Sequence, residues 1–585
     1  MAAAIPSVRT APARLGLPRF AAAAGLAAVA TLAVALRFAN FAAVSTTPYY
    51  DAAVRSMGLS WHNFLYGALE PSGQISVDKT PVDLWLQVAS TKLFGFSGVS
   101  IRLPQAIAGV LVVLLVYGVV RRGYGRWAGI AAALAMAVLP STVLTSRSDT
   151  MDTVMAALLV LAAWVIVRAD PDQRARSVVI AGAVAGLAFE IKLSEATVAL
   201  PALALLAWLV LDARRVRTLA WAGLAFVGVA ASWAVVASLL PGRHPWPLGS
   251  TDGQIWNVLL DYNGVHRLGN PPTAATTPGP LRLFDTSGPR HFGQVVGVEL
   301  LPALVFGALA LAFATRGSRL QRAVGWSMGT WLLLGVLVAS FMGRQWPRYL
   351  EAFTPALAAV LGIGIVAVGR AALRRRAATA ALIACAAAAG LAGALTGGSR
   401  GATSVAVAVA LAAAVTAAVA ALAPARRQLV AVATALVVVA ALVVPFATSV
   451  RLARAGTQDS EDTGTTPPAV LESLSAYLRA HQHGARYELA VSDIFKGAAL
   501  IIKDAQPVLT LSSFGPRQLV SPAQLARAGR GGQVYYVLMS GARCLPGQTP
   551  IACLPVFRWV RAHGVDVSLA AGLTHRHQLY RLPAA

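Results

Sequence analysis

The chain has 585 residues, 57% of them apolar and only 12% charged, where an ordinary soluble protein carries about 25% charge; this excludes a string of soluble domains and points to a bilayer. Its 49 Lys and Arg against 24 Asp and Glu give a net charge of +25, but the arginines punctuate apolar runs instead of forming a basic stripe with interleaved aromatics, which argues against a nucleic-acid-binding module. Three cysteines supply neither a disulfide framework nor zinc-ligand spacing.

After a short segment at 1–17, thirteen apolar stretches of spanning length or slightly less lie near 18–43, 99–120, 128–145, 152–168, 177–190, 196–211, 218–240, 296–315, 325–342, 351–369, 376–396, 402–423 and 427–448. They predict an α-helical polytopic membrane domain over 18–448. The 177–190 stretch is short for roughly 30 Å of hydrocarbon, so the pair within 177–211 is expected to be broken or shifted. Every second junction is basic, as at Arg121, Arg122 and Arg126, at Arg168, Arg174 and Arg176, and at Arg370 and Arg374. Short cytoplasmic loops retain Lys and Arg. The N-terminus is therefore expected inside, and the 44–98 loop, the 241–295 loop and the tail from 449 outside.

The 44–98 loop is crowded with polar and aromatic side chains. Asp51 and Arg55, four apart, share one face of a short helix over 48–60, either as a solvated ion pair or as part of a site. A second helix is expected from about Pro81, with Asp78 and Lys79 just before its amino end, where free backbone donors favour a carboxylate or a bound phosphate. Tyr49, Tyr50, Trp61, Tyr66 and Trp85 either anchor the interface or line a sugar or the first units of a lipid tail; His62 and Asn63 stand among them.

Three further polar clusters fall at junctions on the same side. Arg147, Asp149 and Asp152 form the first, with Asp152 at i+3 from Asp149 and either capping a helix or pointing into a shared cavity. Glu190, Lys192 and Glu195 form the second, at a depth where a charge is expensive and needs a partner. Arg344, Trp346, Arg348, Tyr349 and Glu351 form the third. Its two arginines run against the inward bias and suit an anionic or pyrophosphate-like headgroup. The 241–295 loop, with Trp246, Asp252, Asp261, Asn263 and His266, reads as an acceptor-side lid on a Pro/Gly stem.

From 370 to 448 the chain reads as plain scaffold, with Gly390, Gly393 and Gly397 permitting close helix packing. A polar linker at 449–468 leads into 469–585, an exported α/β domain. It is expected to run as helix 469–481, strand 487–493, helix 494–504, strand 507–512, helix 522–528 and strand 533–539. Cys544 and Cys553 flank a short Pro/Gly loop where a disulfide is permitted, two reduced thiols being the alternative.

Tyr50, Arg55 and Met57, followed by Asp78-Lys79-Thr80-Pro81 and Trp85 in the strings PYYDAAVRSM, SWHNFLYGALEPSG and SVDKTPVDLW, resemble the first exported loop of glycosyltransferase family 39. This is the protein-mannosyltransferase and aminoarabinose-transferase superfamily, and the likeness is closest to its actinobacterial and related bacterial branch. The resemblance covers 18–448, and the tail is similar to tails in that branch. It implies a GT-C fold with about 13 transmembrane helices in the bacterial cytoplasmic membrane and an active site on the exported face. It also implies transfer of a hexosyl or pentosyl unit from a polyprenyl-phosphate donor, generally with inversion, to a glycan, lipid or protein acceptor.

The family's Asp-Glu pair at the end of the first span has no counterpart at Ser45 and Thr46, and Thr80 stands where the family has Pro. The general base then falls to Asp51 or Asp78. Asp149 and Asp152 align the acceptor or hold a divalent metal ion. Arg55, Lys79, Arg344 and Arg348 are assigned to the donor phosphate. Tyr50, His62, Asn63, Tyr66, Trp85, Glu190, Lys192, Glu195 and Tyr349 are assigned to the substrate. A multispan lipid or glycolipid transporter or flippase is the alternative function.

Overall fold

The computed structural model describes residues 19–265, 277–287, 291–313, 317–343, 345–396, 398–459, 464–515, 517–540, 544 and 551–583. Each of the thirteen apolar stretches contains a helix. Among the described residues nine helical segments are long and apolar enough to cross a membrane, or ten if the pair Arg215–Ala230 and Ser232–Leu239, bent by 44°, is one span. The difference from thirteen has three sources. Arg126–Val138 and Asp152–Arg168 have only 13 and 17 residues. The third is Pro171–Val210, which reads as one segment although a 3₁₀ turn at Leu193–Ala199 separates its two helices. That turn is the expected break near 177–211.

The helix Thr354–Arg374 is the axis of the bundle: 72% of its apolar window is buried, against 28% for Phe20–Ala43 and Arg400–Leu422 at the periphery. Small residues make the close approaches. A Cβ on Gly362 would overlap the backbone of Ala132 on Arg126–Val138, and one on Gly335 would overlap the ring of Phe353. We therefore expect Gly362→Ala to push two core helices apart at a cost of about 1–3 kcal/mol. It should read as a lower melting temperature of the detergent-solubilised protein; an unchanged value would show that the two helices do not meet there.

Two charged side chains tie the start of the bundle to its end. Arg147, fully buried, donates to the carbonyls of Leu36 (3.2 Å), Arg37 (3.0 Å) and Ala39 (2.7 Å) at the end of the first helix and to Ala453 (3.1 Å) at the end of the last. These are carbonyls that a helix C-terminus leaves unpaired. Arg37 in turn donates to the carbonyls of Ala137 (3.1 Å) and Met136 (3.3 Å).

Beyond the last span lies an α/β unit. Strands Val508–Thr510, Leu489–Val491, Tyr536–Leu538, Leu579–Arg581 and Val565–Asp566 form one sheet in that spatial order, the first three parallel and the last two pairings antiparallel. The helices Pro468–His481, Ile494–Asp504 and Pro522–Arg530 fall where the alternation predicted them. The terminal helix Pro555–His563 and the antiparallel edge were not anticipated. Side chains alternate with the period of a strand. Leu489 and Val491 face the helix Ile494–Asp504 and merge with the main apolar core, while Ala490 faces a separate cluster with Leu511, Val537 and Phe557. Cys544 and Cys553 are joined as a disulfide, and Cys385 is free and buried in the bundle.

Glu488 is buried in this unit beside Asp504, which accepts from Ser475 Oγ (3.0 Å) and Arg479 Nη2 (2.8 Å). Burial first, then the Asp504 charge, push the Glu488 carboxyl up from 4.5 to about 8. A carboxyl raised in this way stabilises the fold fully below its unfolded value, and that stability is lost as pH rises through the folded one. Between pH 4.5 and 8 the unit should lose stability, and Glu488→Gln should flatten the loss. Melting curves against pH for both proteins check this.

Candidate functional site

The first long loop, 44–98, is built by local signals. Thr47 and Pro48 start the helix Pro48–Met57, with Pro at a position where its missing N–H costs nothing. Ser60 caps Trp61–Tyr66 through the Asn63 amide (3.1 Å). Gly67 then closes that helix in the left-handed conformation, φ 65°. Strand Ile75–Ser76 pairs in parallel with Trp246–Pro247 of the second long loop, and Pro81 precedes the helix Val82–Phe94. Asp78 and Lys79 thus sit between a strand and a helix start, as the spacing predicted.

Two carboxylates meet at the end of the first span. Thr46 Oγ1 donates to Asp51 Oδ2, while Asp149 accepts from the Thr47 amide at Oδ2 (2.6 Å) and from Thr47 Oγ1 at Oδ1 (3.1 Å). Asp51 is 6% exposed and Asp149 fully buried, with the buried Arg102 guanidinium as the nearby cation. Burial first, and the Asp149 charge second, raise the Asp51 carboxyl well above the usual carboxylate range. Among the described residues Asp51 Oδ1 has no hydrogen-bond partner. Asp51 and Asp149 thus pack against the side chains of Thr46 and Thr47.

Three further cations converge from three parts of the chain. Lys79 Nζ donates to Tyr50 Oη (2.9 Å) and lies 3.4 Å from Asp78 Oδ1. Lys192 Nζ pairs with Asp152 Oδ2 at 3.1 Å and sits 5.5 Å from the centre of the Tyr349 ring. The Arg348 guanidinium lies over the rings of Trp346 (4.5 Å) and Tyr349 (5.3 Å) and donates to the Asp459 carbonyl (3.1 Å). Lys192 feels the charge of Lys79 and Glu195, and Arg348 that of Asp152. Tyr50, Lys79, Asp152, Lys192, Glu195, Arg348 and Tyr349 are therefore one cluster.

Other residues assigned from sequence have different neighbours. Arg55 turns to the ring of Phe96 (4.9 Å) and makes no ion pair with Asp51. His62 meets the Arg243 carbonyl (2.9 Å), Asn63 Nδ2 donates to Ser56 Oγ (3.2 Å) and the Pro71 carbonyl (3.1 Å), and Tyr66 stacks between His62 and His244. Trp85 Nε1 donates to the Phe64 carbonyl (2.7 Å) while its ring stacks on Phe64. These four hold the loop together. Glu190 Oε1 accepts from the Trp233 amide (3.1 Å), and the Glu190 carbonyl accepts from Thr80 Oγ1. Asp149 and Asp152 face different partners, and among the described residues no three His, Cys, Asp or Glu side chains gather as metal ligands. Arg344, His266 and Arg267 lie outside the described residues.

Some supporting residues went unassigned in the sequence. Asp83, buried, accepts from Gln87 (2.7 Å) and Gln105 (2.9 and 3.0 Å), and Gln87 also donates to the Asp149 carbonyl (3.0 Å). Burial raises Asp83 to about 6. The Asp83–Gln87 spacing of four was the available signal. Asn263 of the second loop donates to the Asp78 carbonyl (2.5 Å) and accepts at its own carbonyl from Ser194 Oγ (3.0 Å), tying the loop to the site.

Over the whole chain the fold matches a solved structure: ArnT from Cupriavidus metallidurans in the apo state superposes with a TM-score of 0.55 at 15% identity, covering 96% of this chain and 97% of that one. The same protein bound to undecaprenyl phosphate gives a TM-score of 0.55 at 16% identity over 88% and 92%. The family model "Dolichyl-phosphate-mannose-protein mannosyltransferase" matches residues 78–239. The chain has the GT-C fold of these structures. A second model, "Putative mannosyltransferase YkcB-like, C-terminal", matches 474–563 in the α/β unit. The Bacillus subtilis protein named "Putative mannosyltransferase YycA" is 36% identical over 224 residues, 38% of this chain and 33% of its own length. The chain thus spans about a third of the curated relatives it matches. The match at 78–239 takes in Asp78, Lys79, Asp149, Asp152 and Lys192 of this GT-C chain.

Proposed function

We propose that the chain is a membrane glycosyltransferase that moves a monosaccharide from a polyprenyl-phosphate carrier to an acceptor hydroxyl on the exported face. The observation that carries this reading is the unpartnered oxygen of Asp51, on the short helix where the preceding residue, Tyr50, accepts from Lys79 of the cation cluster. A proton acceptor and an anion-holding group carried by one helix and its neighbours support a transfer reaction. Asp51 takes the proton of the acceptor hydroxyl, and the oxygen attacks the anomeric carbon from the face opposite the phosphate. The bond from that carbon to the phosphate oxygen breaks, and the carrier leaves as polyprenyl phosphate with its new charge held by the three cations. The single displacement inverts the anomeric centre. Asp51 is preferred to Asp78 because Asp78 Oδ1 is already engaged by Tyr49 and Lys79.

The cluster stands at one end of the bundle, and Arg121, Arg122, Arg168 and Arg370 stand at the other, since the helices that carry them run away from Asp152 and Glu351. The inward bias of arginine supports an exported cluster in a bacterial cytoplasmic membrane. The relatives' names favour a hexosyl unit, and ArnT with undecaprenyl phosphate supports the carrier class.

Purified protein given labelled polyprenyl-phosphate hexose or pentose and extracted envelope acceptors is expected to release the carrier phosphate in step with sugar transfer. Movement of intact carrier across vesicles with no release would instead make it a transporter.

A further inference from the structure

The α/β unit after the last span touches the site through a partly buried aromatic junction. Phe495, from the helix Ile494–Asp504, and Phe514 stack with centroids 5.6 Å apart at 12°. Tyr49 lies 5.5 Å from Phe495 and 6.2 Å from Phe514. Tyr262 of the second long loop stacks on the same Phe514 at 6.2 Å. Three parts of the chain meet around one ring, and Tyr49 directly precedes Tyr50 and stands two residues before Asp51.

A tether between domains needs only apolar contact, and this junction has a polar group in it. The hydroxyl of Tyr49, a residue 5% exposed, donates to Asp78 Oδ1 at 3.2 Å. Asp78 is the neighbour of Lys79, whose ammonium reaches Tyr50. Hydrogen bonds at the rim fix the register. Gln74 exchanges two with Thr510 (3.4 and 3.2 Å), Gly249 N donates to Ser513 Oγ (3.1 Å), and Asp459 N donates to Ser148 Oγ (2.9 Å) one residue before Asp149. Asp459, on the way into the unit, also accepts from Arg348 of the cluster at its carbonyl.

We infer that the α/β unit is a working part of the site, and that Tyr49 is a positioning residue which transmits the seating of Phe495 and Phe514 to Asp78, Lys79 and Tyr50. This rests on the glycosyltransferase reading for its activity test, though the mechanical coupling does not. A displacement of about 1 Å at a reacting group is worth about 10²-fold in rate, so partial loosening of this seat should register in turnover before it registers in folding.

The test uses the full-length protein with Tyr49→Phe, Phe514→Ala, their combination, and Phe514→Tyr. Tyr49→Phe keeps the ring and removes only the bond to Asp78; Phe514→Tyr keeps the stack. We expect kcat to fall about 10-fold in Tyr49→Phe and in Phe514→Ala with KM for the donor nearly unchanged. The combined variant should be no slower than the worse single, and Phe514→Tyr should match the parent. Hydrogen exchange, which needs no turnover, should quicken at 48–57 in Phe514→Ala and stay unchanged at 489–491, which shows that the unit itself remains folded. Parent-like kcat in both single variants, losses that simply multiply, or unchanged exchange at 48–57 would overturn the inference. If the parent protein transfers no sugar, the functional reading fails, and the exchange result alone decides the coupling.

Discussion

Asp51→Asn should lower kcat for sugar transfer by about 10²–10⁴-fold, the range set by losing a positioned general base, while the donor still binds. The pH dependence should carry its signature. The base works only when ionised, so the rate rises with pH through the carboxyl's own titration. Burial and the neighbouring Asp149 hold that carboxyl well above the ordinary range, and the acid limb should lie correspondingly high. Asp149→Asn removes one of the two causes, and the limb should move toward lower pH. Wild-type turnover in Asp51→Asn combined with loss of turnover in Asp78→Asn would transfer the role to Asp78.

Lys192→Met should be among the most destabilising single changes in the chain. It strips the fully buried Asp152 of the ammonium paired to it at 3.1 Å and leaves it only the more distant Arg348 charge. Removing one partner of a buried pair costs about 3–5 kcal/mol because the other charge is stranded. The double change Asp152→Asn with Lys192→Met should recover most of the melting temperature and none of the donor affinity, since one cation of the cluster is still gone. Equal melting temperatures for the single variant and the parent would show that the pair does not bear on the fold.

Much of this arrangement was legible because it is written in short-range signals. The helix at 48–57 follows from Thr47 and Pro48, the second helix from Pro81, and the βα alternation after 468 from strand and helix periods in successive short runs. What sequence spacing could not convey is direction. Asp149 and Asp152 are three apart, but the helix begins only at Asp152, so the i+3 rule does not link them. One turns to Thr47 and the other to Lys192. The cluster of Lys79, Lys192 and Arg348 draws on segments more than a hundred residues apart, and only packing brings them together. His62, Asn63, Tyr66 and Trp85 have the residue types of a sugar site, yet each is engaged within or between the two long loops. The span count fell short for a related reason: length thresholds see 13 and 17 residues where the bundle has a helix.

The clasp made by Arg147 bears on the order in which the molecule is made. Its guanidinium meets the carbonyls ending the first helix and the carbonyl of Ala453 in the last. A ribosome will have delivered Arg147 long before Ala453 exists. Until the final span enters the bilayer, part of that buried donor fork waits without an acceptor, and the long loops wait without the unit that seats on them. The clasp therefore closes only once the last helix is in place.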